Sequence, residues 1–262
     1  MKMKVIVTLL AIIVLCSVVL FFSVRSIDSG EDTAKATEDT IMETPSPFPT
    51  STPTPTPEPR VIYITFDDGP YMYTERLLDI LDEYDVKATF FVTGNYSDYT
   101  YLIGEEYDRG HAIGIHAYNH DLNTVYDDYL TDFHKMQDLI YDETGEEVKI
   151  FRFPGGSSNT IAKDKIPELI QELTDDSYIF FDWDVDSCDA TTAKTKEEVL
   201  TNLQEGVLSS KKYSVCLCHD VYDYTVDAIE EFIPWALGNG FVFDKLTTQS
   251  PEVHHYLGDT SQ

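Results

Sequence analysis

Hydrophobic and polar positions divide this chain into stretches of different rhythm. From Val5 to Val24 the sequence carries no charge and is almost wholly apolar. That is about 20 residues, or roughly 30 Å as a helix, which matches the hydrocarbon core of a bilayer. Lys2 and Lys4 precede the run and Arg25 follows it. The positive-inside tendency then puts the N-terminus in the cytoplasm and the remainder outside. Residues 1–25 are therefore expected to be a transmembrane anchor. A cleaved signal peptide, which would leave the protein secreted, would have a shorter apolar core and small residues at the cut.

Residues 26–60 are rich in Ser, Thr and acidic groups and end in a Thr-Pro alternation without apolar periodicity. Such a segment cannot build a core and is expected to be a disordered linker. In polyproline II form, Pro45 to Pro59 would reach about 45 Å, enough to hold a domain clear of the membrane.

Beyond Arg60 the rhythm changes to short apolar runs alternating with amphipathic stretches. Val61–Phe66, Ala88–Val92, Ala112–Ile115, Ile150–Phe153, Tyr178–Phe181, Ser214–Cys218 and Phe241–Phe243 read as strands, about seven in all. Glu75–Tyr84, with Leu77, Leu78, Leu81 and Tyr84 on one face, and Tyr126–Thr144, closed by Gly145, read as helices. Alternating strand and helix predicts parallel strands with crossover helices, in an open doubly wound sheet or a barrel. Periodicity alone does not separate the two. One domain is expected over 61–249, with a tail over 250–262.

Composition narrows the partners. The 18 Lys and Arg face 47 Asp and Glu, a formal charge of -29. Such a field repels polyanions, so nucleic acid is excluded as a partner and membrane attachment falls to the anchor. Cys188, Cys216 and Cys218 have no metal-finger spacing and read as buried thiols, with a disulfide from Cys188 as the competing reading.

The candidate chemistry lies at the C-terminal ends of the predicted strands, where parallel α/β folds build their sites. Asp67-Asp68-Gly69-Pro70 follows the first strand. Alone it could be a turn signal. His116 and His120, after the third strand, have a spacing that lets two imidazoles meet one metal if the segment is helical. One carboxylate and two histidines make the three-ligand set of a catalytic divalent-metal site, zinc first, with cobalt, nickel or manganese possible. Arg152 in FRFPGG, the Asp-rich DWDVDSCDA and His219 in VCLCHD end later strands. His111 reads as structural, and His254 and His255 as tail residues.

Taken in order, these segments resemble the motifs of the polysaccharide deacetylase family, the fourth family of carbohydrate esterases, over residues 61 to 247. The resemblance implies an α/β fold, a distorted (β/α)7 barrel. TFDDGP is similar to the first motif, which makes Asp67 the general base and Asp68 a metal ligand. HAYNH resembles the second, with His116 and His120 as ligands, although Ala117 stands where Ser or Thr is usual. RFPGG resembles the third, with Arg152 positioning Asp67 and the Gly155 N–H donating to the oxyanion. Asp189-Ala190 replaces the Asp-Trp usual in the fourth, so an aromatic wall is absent or supplied elsewhere, for instance by Trp183. VCLCH resembles the fifth, with His219 as general acid oriented by Asp189 and Leu217 lining the acetyl pocket.

The implied activity is metal-dependent hydrolysis of N-acetyl groups from amino sugars. With the anchor, peptidoglycan N-acetylglucosamine is the expected substrate and a monomer at the outer membrane face the expected state. A chitooligosaccharide or xylan deacetylase, a catalytically weak wall-binding protein and a metal-dependent phosphoesterase are the alternatives.

Overall fold

A computed structural model describes residues 59–210 and 212–256. The expected anchor and nearly all of the expected linker lie outside the described residues, as do residues 257–262. Among the described residues, no helix is long and apolar enough to cross a membrane.

The strands are β1 (Arg60–Asp67), β2 (Thr89–Thr93), β3 (Ala112–Ala117), β4 (Ile150–Phe151), β5 (Ile179–Phe180), β6 (Val185–Asp186), β7 (Tyr213–His219) and β8 (Phe241–Phe243). The helices are α1 (Thr74–Glu83), α2 (Leu102–Asp108), α3 (Tyr129–Thr144), α4 (Ile166–Asp175), α5 (Lys196–Ser209) and α6 (Asp223–Gly238). All strand pairs are parallel, in the order β5-β4-β3-β2-β1-β7-β6, with β8 pairing to the start of β1. Among the described residues no ladder joins β5 to β6, so the expected barrel is a parallel half-barrel left open between them. The sheet has 8 strands, against the seven or so that periodicity predicts. The additional one is β6, whose Val185 and Asp186 are too short a run to show alternation.

β4 stops at Phe151 instead of reaching Phe153. Pro154 cannot donate to a ladder, and Gly156 N–H closes a turn onto Phe153 O at 2.8 Å. Gly155 occupies the third position of that turn with φ 73°, a conformation that favours glycine, directly after the proline suited to the second position. Helix α3 begins at Tyr129, not Tyr126, because Asp128 is non-helical, and it ends at Gly145 with φ 76°.

Period-two alternation sorts the strand side chains into two layers. Ile62, Ile64 and Phe66 of β1, with Cys216 and Cys218 of β7, pack with Leu77, Leu78, Phe133, Ile229 and Phe232 of the helices. Tyr63, Phe91, Ile150, Phe181 and Val215 form a second, smaller cluster on the opposite face. Continuing that second face to the strand ends gives Asp67, His116, Arg152, Leu217 and His219. Gly114 makes room there: a Cβ would lie 2.5 Å from the Phe91 ring.

Cys216 and Cys218 are buried free thiols, and Cys188 is a half-buried one. His111 is buried and structural, its Nδ1 accepting the Ala88 N–H at 3.1 Å. The segment expected as a tail instead packs along β5 as far as Tyr256. Val253 O accepts from Asp182 N–H at 2.8 Å. His254 stacks on Phe180 at 3.8 Å. The backbone N–H groups of His255 and Tyr256 donate to Asp182 Oδ2 at 2.7 Å and Ser157 Oγ at 2.9 Å. The segment also serves the edge of β5, where His254 Nε2 lies 3.0 Å from Phe180 O.

Candidate active site

β1 delivers Asp67 at its last position, and the chain then turns with Asp68 at φ 73°. Asp is among the few non-glycine residues that tolerate this region. The reversal parts the two carboxylates and gives them different neighbours. The β2–β3 register shifts between Val92 and Thr93, so that Val92 pairs with Ile115 and Thr93 with Ala117. His116 is the extra residue at this step, and such irregularities commonly aim a side chain at a site. His120 lies beyond β3 in a loop. The helical reading of the His116–His120 spacing therefore does not hold: a strand end and a bend bring the rings to 4.8 Å.

Ligand atoms of Asp68, His116 and His120 lie within 4.8 Å of one another. Asp68 Oδ1 is 3.5 Å from His116 Nε2 and 3.6 Å from His120 Nε2. His116 Nδ1 lies 2.8 Å from Arg152 O, which requires it to donate and leaves the Nε2 lone pair facing the carboxylate. Burial, reinforced by the neighbouring His120, holds the His116 pKa well below the usual histidine value, so the ring is neutral. Asp68 Oδ1 is buried without a hydrogen-bond partner. An orphaned carboxylate oxygen facing two imidazole nitrogens fits a divalent cation, which would remove the desolvation penalty of that oxygen.

Asp67 is buried beside this cluster, its Oδ2 3.8 Å from His116 Nε2. Its Oδ1 accepts from Arg152 Nη1 at 2.8 Å. Arg152 is fully buried and spends its other donors on Thr65 Oγ1 at 2.7 Å, Phe181 O at 2.9 Å and Asp182 O at 3.0 Å. The Phe91 ring lies 4.3 Å below the guanidinium. Burial raises the Asp67 pKa to about 6, and the Arg152 charge opposes a larger rise.

Across the cluster, His219 ends β7, with Nε2 3.9 Å from Asp68 Oδ2. Its Nδ1 meets Asp189 Oδ1 at 2.7 Å, and its backbone N–H donates to Asp189 Oδ2 at 2.7 Å. Thr225 Oγ1 donates to the same oxygen at 2.8 Å. Burial disfavours the imidazolium, but the hydrogen bond and charge of Asp189, with Asp68 and Asp67, outweigh it and raise the His219 pKa to about 9. Asp189 itself is lowered: its burial is overcome by the hydrogen bond and charge of His219.

A family model described as polysaccharide deacetylase matches residues 54–170. A peptidoglycan-N-acetylglucosamine deacetylase of Bacillus cereus is 30% identical over 203 residues, spanning 73% of this chain and 71% of the relative. The chain belongs to the polysaccharide deacetylase family. Its fold is likewise similar to solved family members. The catalytic domain of a peptidoglycan N-acetylglucosamine deacetylase from Eubacterium rectale matches with TM-score 0.74 and 41% identity, covering 80% of this chain and 98% of that one. A polysaccharide deacetylase from Bacillus cereus matches with TM-score 0.67 and 28% identity, covering 76% and 98%.

The remaining expected residues of this polysaccharide deacetylase are less tightly tied to the cluster. Leu217 is buried two residues before His219 on the same strand face. Gly155 lies exposed in the turn after Arg152, and its N–H makes no hydrogen bond among the described residues. Trp183 packs against His255 at 4.7 Å and over the backbone of Gly156, where a Cβ would lie 3.0 Å from the indole. Asp186 is exposed and caps the Cys188 N–H.

Sequence reasoning passed over several supporting groups. Asp182, the first acid of DWDVDSCDA, is buried and accepts the Ser157 N–H at 2.8 Å and the Ser157 hydroxyl, which fixes the turn holding Gly155. Asp220 is buried against Gly69, where a Cβ would lie 2.2 Å from its carboxylate, and accepts the Thr74 hydroxyl. Burial raises its pKa to about 7. The run of acids in DWDVDSCDA was a signal for the first. Nothing in HD distinguished the second from a surface acid.

Proposed function

We propose that this polysaccharide deacetylase removes N-acetyl groups from peptidoglycan, with N-acetylglucosamine as the preferred sugar, and yields acetate and a free amine. The observation that carries the reading is the flanking of one Asp-His-His cluster by two buried groups in opposite protonation environments, Asp67 bound to Arg152 and His219 bound to Asp189. Amide hydrolysis needs a base for water, stabilisation of the carbonyl oxygen and a proton for the departing amine.

Asp68, His116 and His120 would hold a divalent cation, zinc by donor type, whose chemistry is polarisation of water and of the acetyl carbonyl. Asp67 takes the proton from water through Oδ2, since Oδ1 is committed to Arg152. A carboxylate with a pKa near 6 is a stronger base than an ordinary one and is still ionised at neutral pH. Gly155 N–H donates to the carbonyl oxygen as it gains charge, and Leu217 meets the acetyl methyl. His219, kept protonated by Asp189, gives its Nε2 proton to the nitrogen as the C–N bond breaks. Water's oxygen and the acyl carbon leave as acetate, which balances the reaction.

The peptidoglycan assignment is supported by the substrates named for the Bacillus cereus and Eubacterium rectale relatives. The apolar run of residues 5–24, with the Thr-Pro stretch after it, supports a place tethered outside the membrane, within reach of the wall. Mass spectrometry of enzymatically digested peptidoglycan after incubation tests both substrate and reaction. Fragments should lose acetyl groups from glucosamine, and a chelator should abolish the loss. Release of acetate from chitooligosaccharides but none from peptidoglycan would overturn the substrate assignment.

A further inference from the structure

The three candidate ligands are not held alike. His116 stands on β3 and Asp68 follows directly from β1, whereas His120 sits in a loop with no ladder of its own. The backbone of that loop is nevertheless pinned at three consecutive N–H groups. Asp132, in the first turn of α3, accepts from Tyr118 N–H through Oδ2 at 2.7 Å and from Asn119 N–H through Oδ1 at 2.9 Å. Asn95 Oδ1, from the loop after β2, accepts from His120 N–H at 3.1 Å. Ala117, at the start of the loop, is buried among the helices and offers no hydroxyl.

The same two elements hold the loop at further points. Gly94 N–H donates to Tyr118 O at 3.1 Å, and a Cβ at this position would lie 2.7 Å from that oxygen. Lys135 Nζ sits 3.7 Å over the Tyr118 ring. The loop is thus held by the side chains of Asp132, Asn95 and Lys135 and by the backbone of Gly94, each acting on its backbone or on the Tyr118 ring.

From these bonds we infer that Asp132 and Asn95 are positioning residues for His120, and that their clamp on residues 118–120 sets the affinity of the site for its cation. The inference rests on the reading of Asp68, His116 and His120 as the metal site. An ionised carboxylate accepting two backbone N–H groups makes charge-assisted bonds, which are stronger and more directional than neutral ones. Fixing the loop before the cation arrives removes an ordering cost that a free loop would impose on every binding event.

The test uses purified full-length protein titrated with Zn²⁺ against a chromophoric chelator, together with the visible absorption of the Co²⁺ form. Asp132→Ala is expected to weaken Zn²⁺ binding by about 10–100-fold, the range usual for partners that orient ligands. Asp132→Asn keeps one acceptor and should lose less. Asn95→Ala, which removes a single bond at the exposed loop, should lose about threefold to tenfold. The Co²⁺ bands should change in intensity in all three, because the His120 donor no longer sits in one geometry.

A purely structural role would lower the melting temperature of the metal-free protein and leave affinity and spectrum unchanged. Wild-type affinity and spectrum in both Asp132→Asn and Asn95→Ala would overturn the clamp while leaving the metal site standing. A wild-type protein that takes up neither Zn²⁺ nor Co²⁺ would overturn the metal-site reading and the clamp with it. Asn95→Ala keeps the test decisive even if Asp132→Ala fails to fold.

Discussion

His116 and His219 occupy matching places on opposite flanks of Asp68, each on the inner face at the end of a parallel strand, each buried. Their ring nitrogens differ in one partner. The Nδ1 of His116 faces a neutral carbonyl, Arg152 O, and that of His219 faces a carboxylate, Asp189. The carbonyl fixes the ring without adding charge, so burial keeps His116 neutral and its lone pair available for a cation. The carboxylate adds a full negative charge and makes the same ring a proton donor. One residue type is thus suited to the two proposed roles by the atom behind it.

Removing His116 should have the largest effect. His116→Ala is expected to purify without metal and to lose on the order of 10³-fold or more in turnover, read by acetate release alongside elemental analysis. Asp67→Asn separates base from ligand: metal content should stay at the wild-type level while turnover falls by about 10²–10⁴-fold. Full activity in that variant would exclude the proposed base.

The comparison predicts a distinct signature for Asp189→Asn. In the proposed role of acid His219 must be protonated, and Asp189 raises its pKa, so activity should fall off at high pH in the wild type. Without the carboxylate, that alkaline limb should move to lower pH, with metal content retained. An unmoved limb in kcat against pH would show that Asp189 does not control the acid.

His111 supplies the control, a buried histidine away from the cluster whose Nδ1 accepts a backbone N–H, that of Ala88, at 3.1 Å. Burial, with the Lys87 charge, lowers its pKa to about 4. The unfolded chain therefore binds a proton that the folded state refuses, and stability falls as pH drops from about 6.5 towards 4. The expected loss between pH 7 and pH 5 is about 2 kcal/mol from this residue. Urea unfolding of wild type and His111→Gln at the two pH values should show a shallower dependence in the variant.

Much of this site was legible because its members are chemically scarce residues placed at strand ends by period-two alternation. Leu217 and His219 on one face of β7, with Cys216 and Cys218 on the other, needed no structure to be sorted. Long elements such as α1 and α3 were legible for the same reason, since several turns repeat one apolar face. The two-residue strand β6 was not, because a run that short carries no period, and β4 and β5 were found but read two residues too long. Asp132 and Asp220 escaped because each is one acid in an acidic chain, and Asp182 because its neighbours in DWDVDSCDA are acids too; only long-range pairing separates a structural carboxylate from a solvated one. The path of residues 251–256 along β5 was hidden likewise, its contacts being largely with backbone groups.

That path has a consequence for biosynthesis. Asp182 receives its last backbone donor from His255, 73 positions downstream. A ribosome adds residues one after another, so Arg152 and its surroundings exist for an interval with this flank open to solvent. The enzyme's rim is completed late in translation, which delays the appearance of a finished catalytic centre until after the strands beneath it have been made.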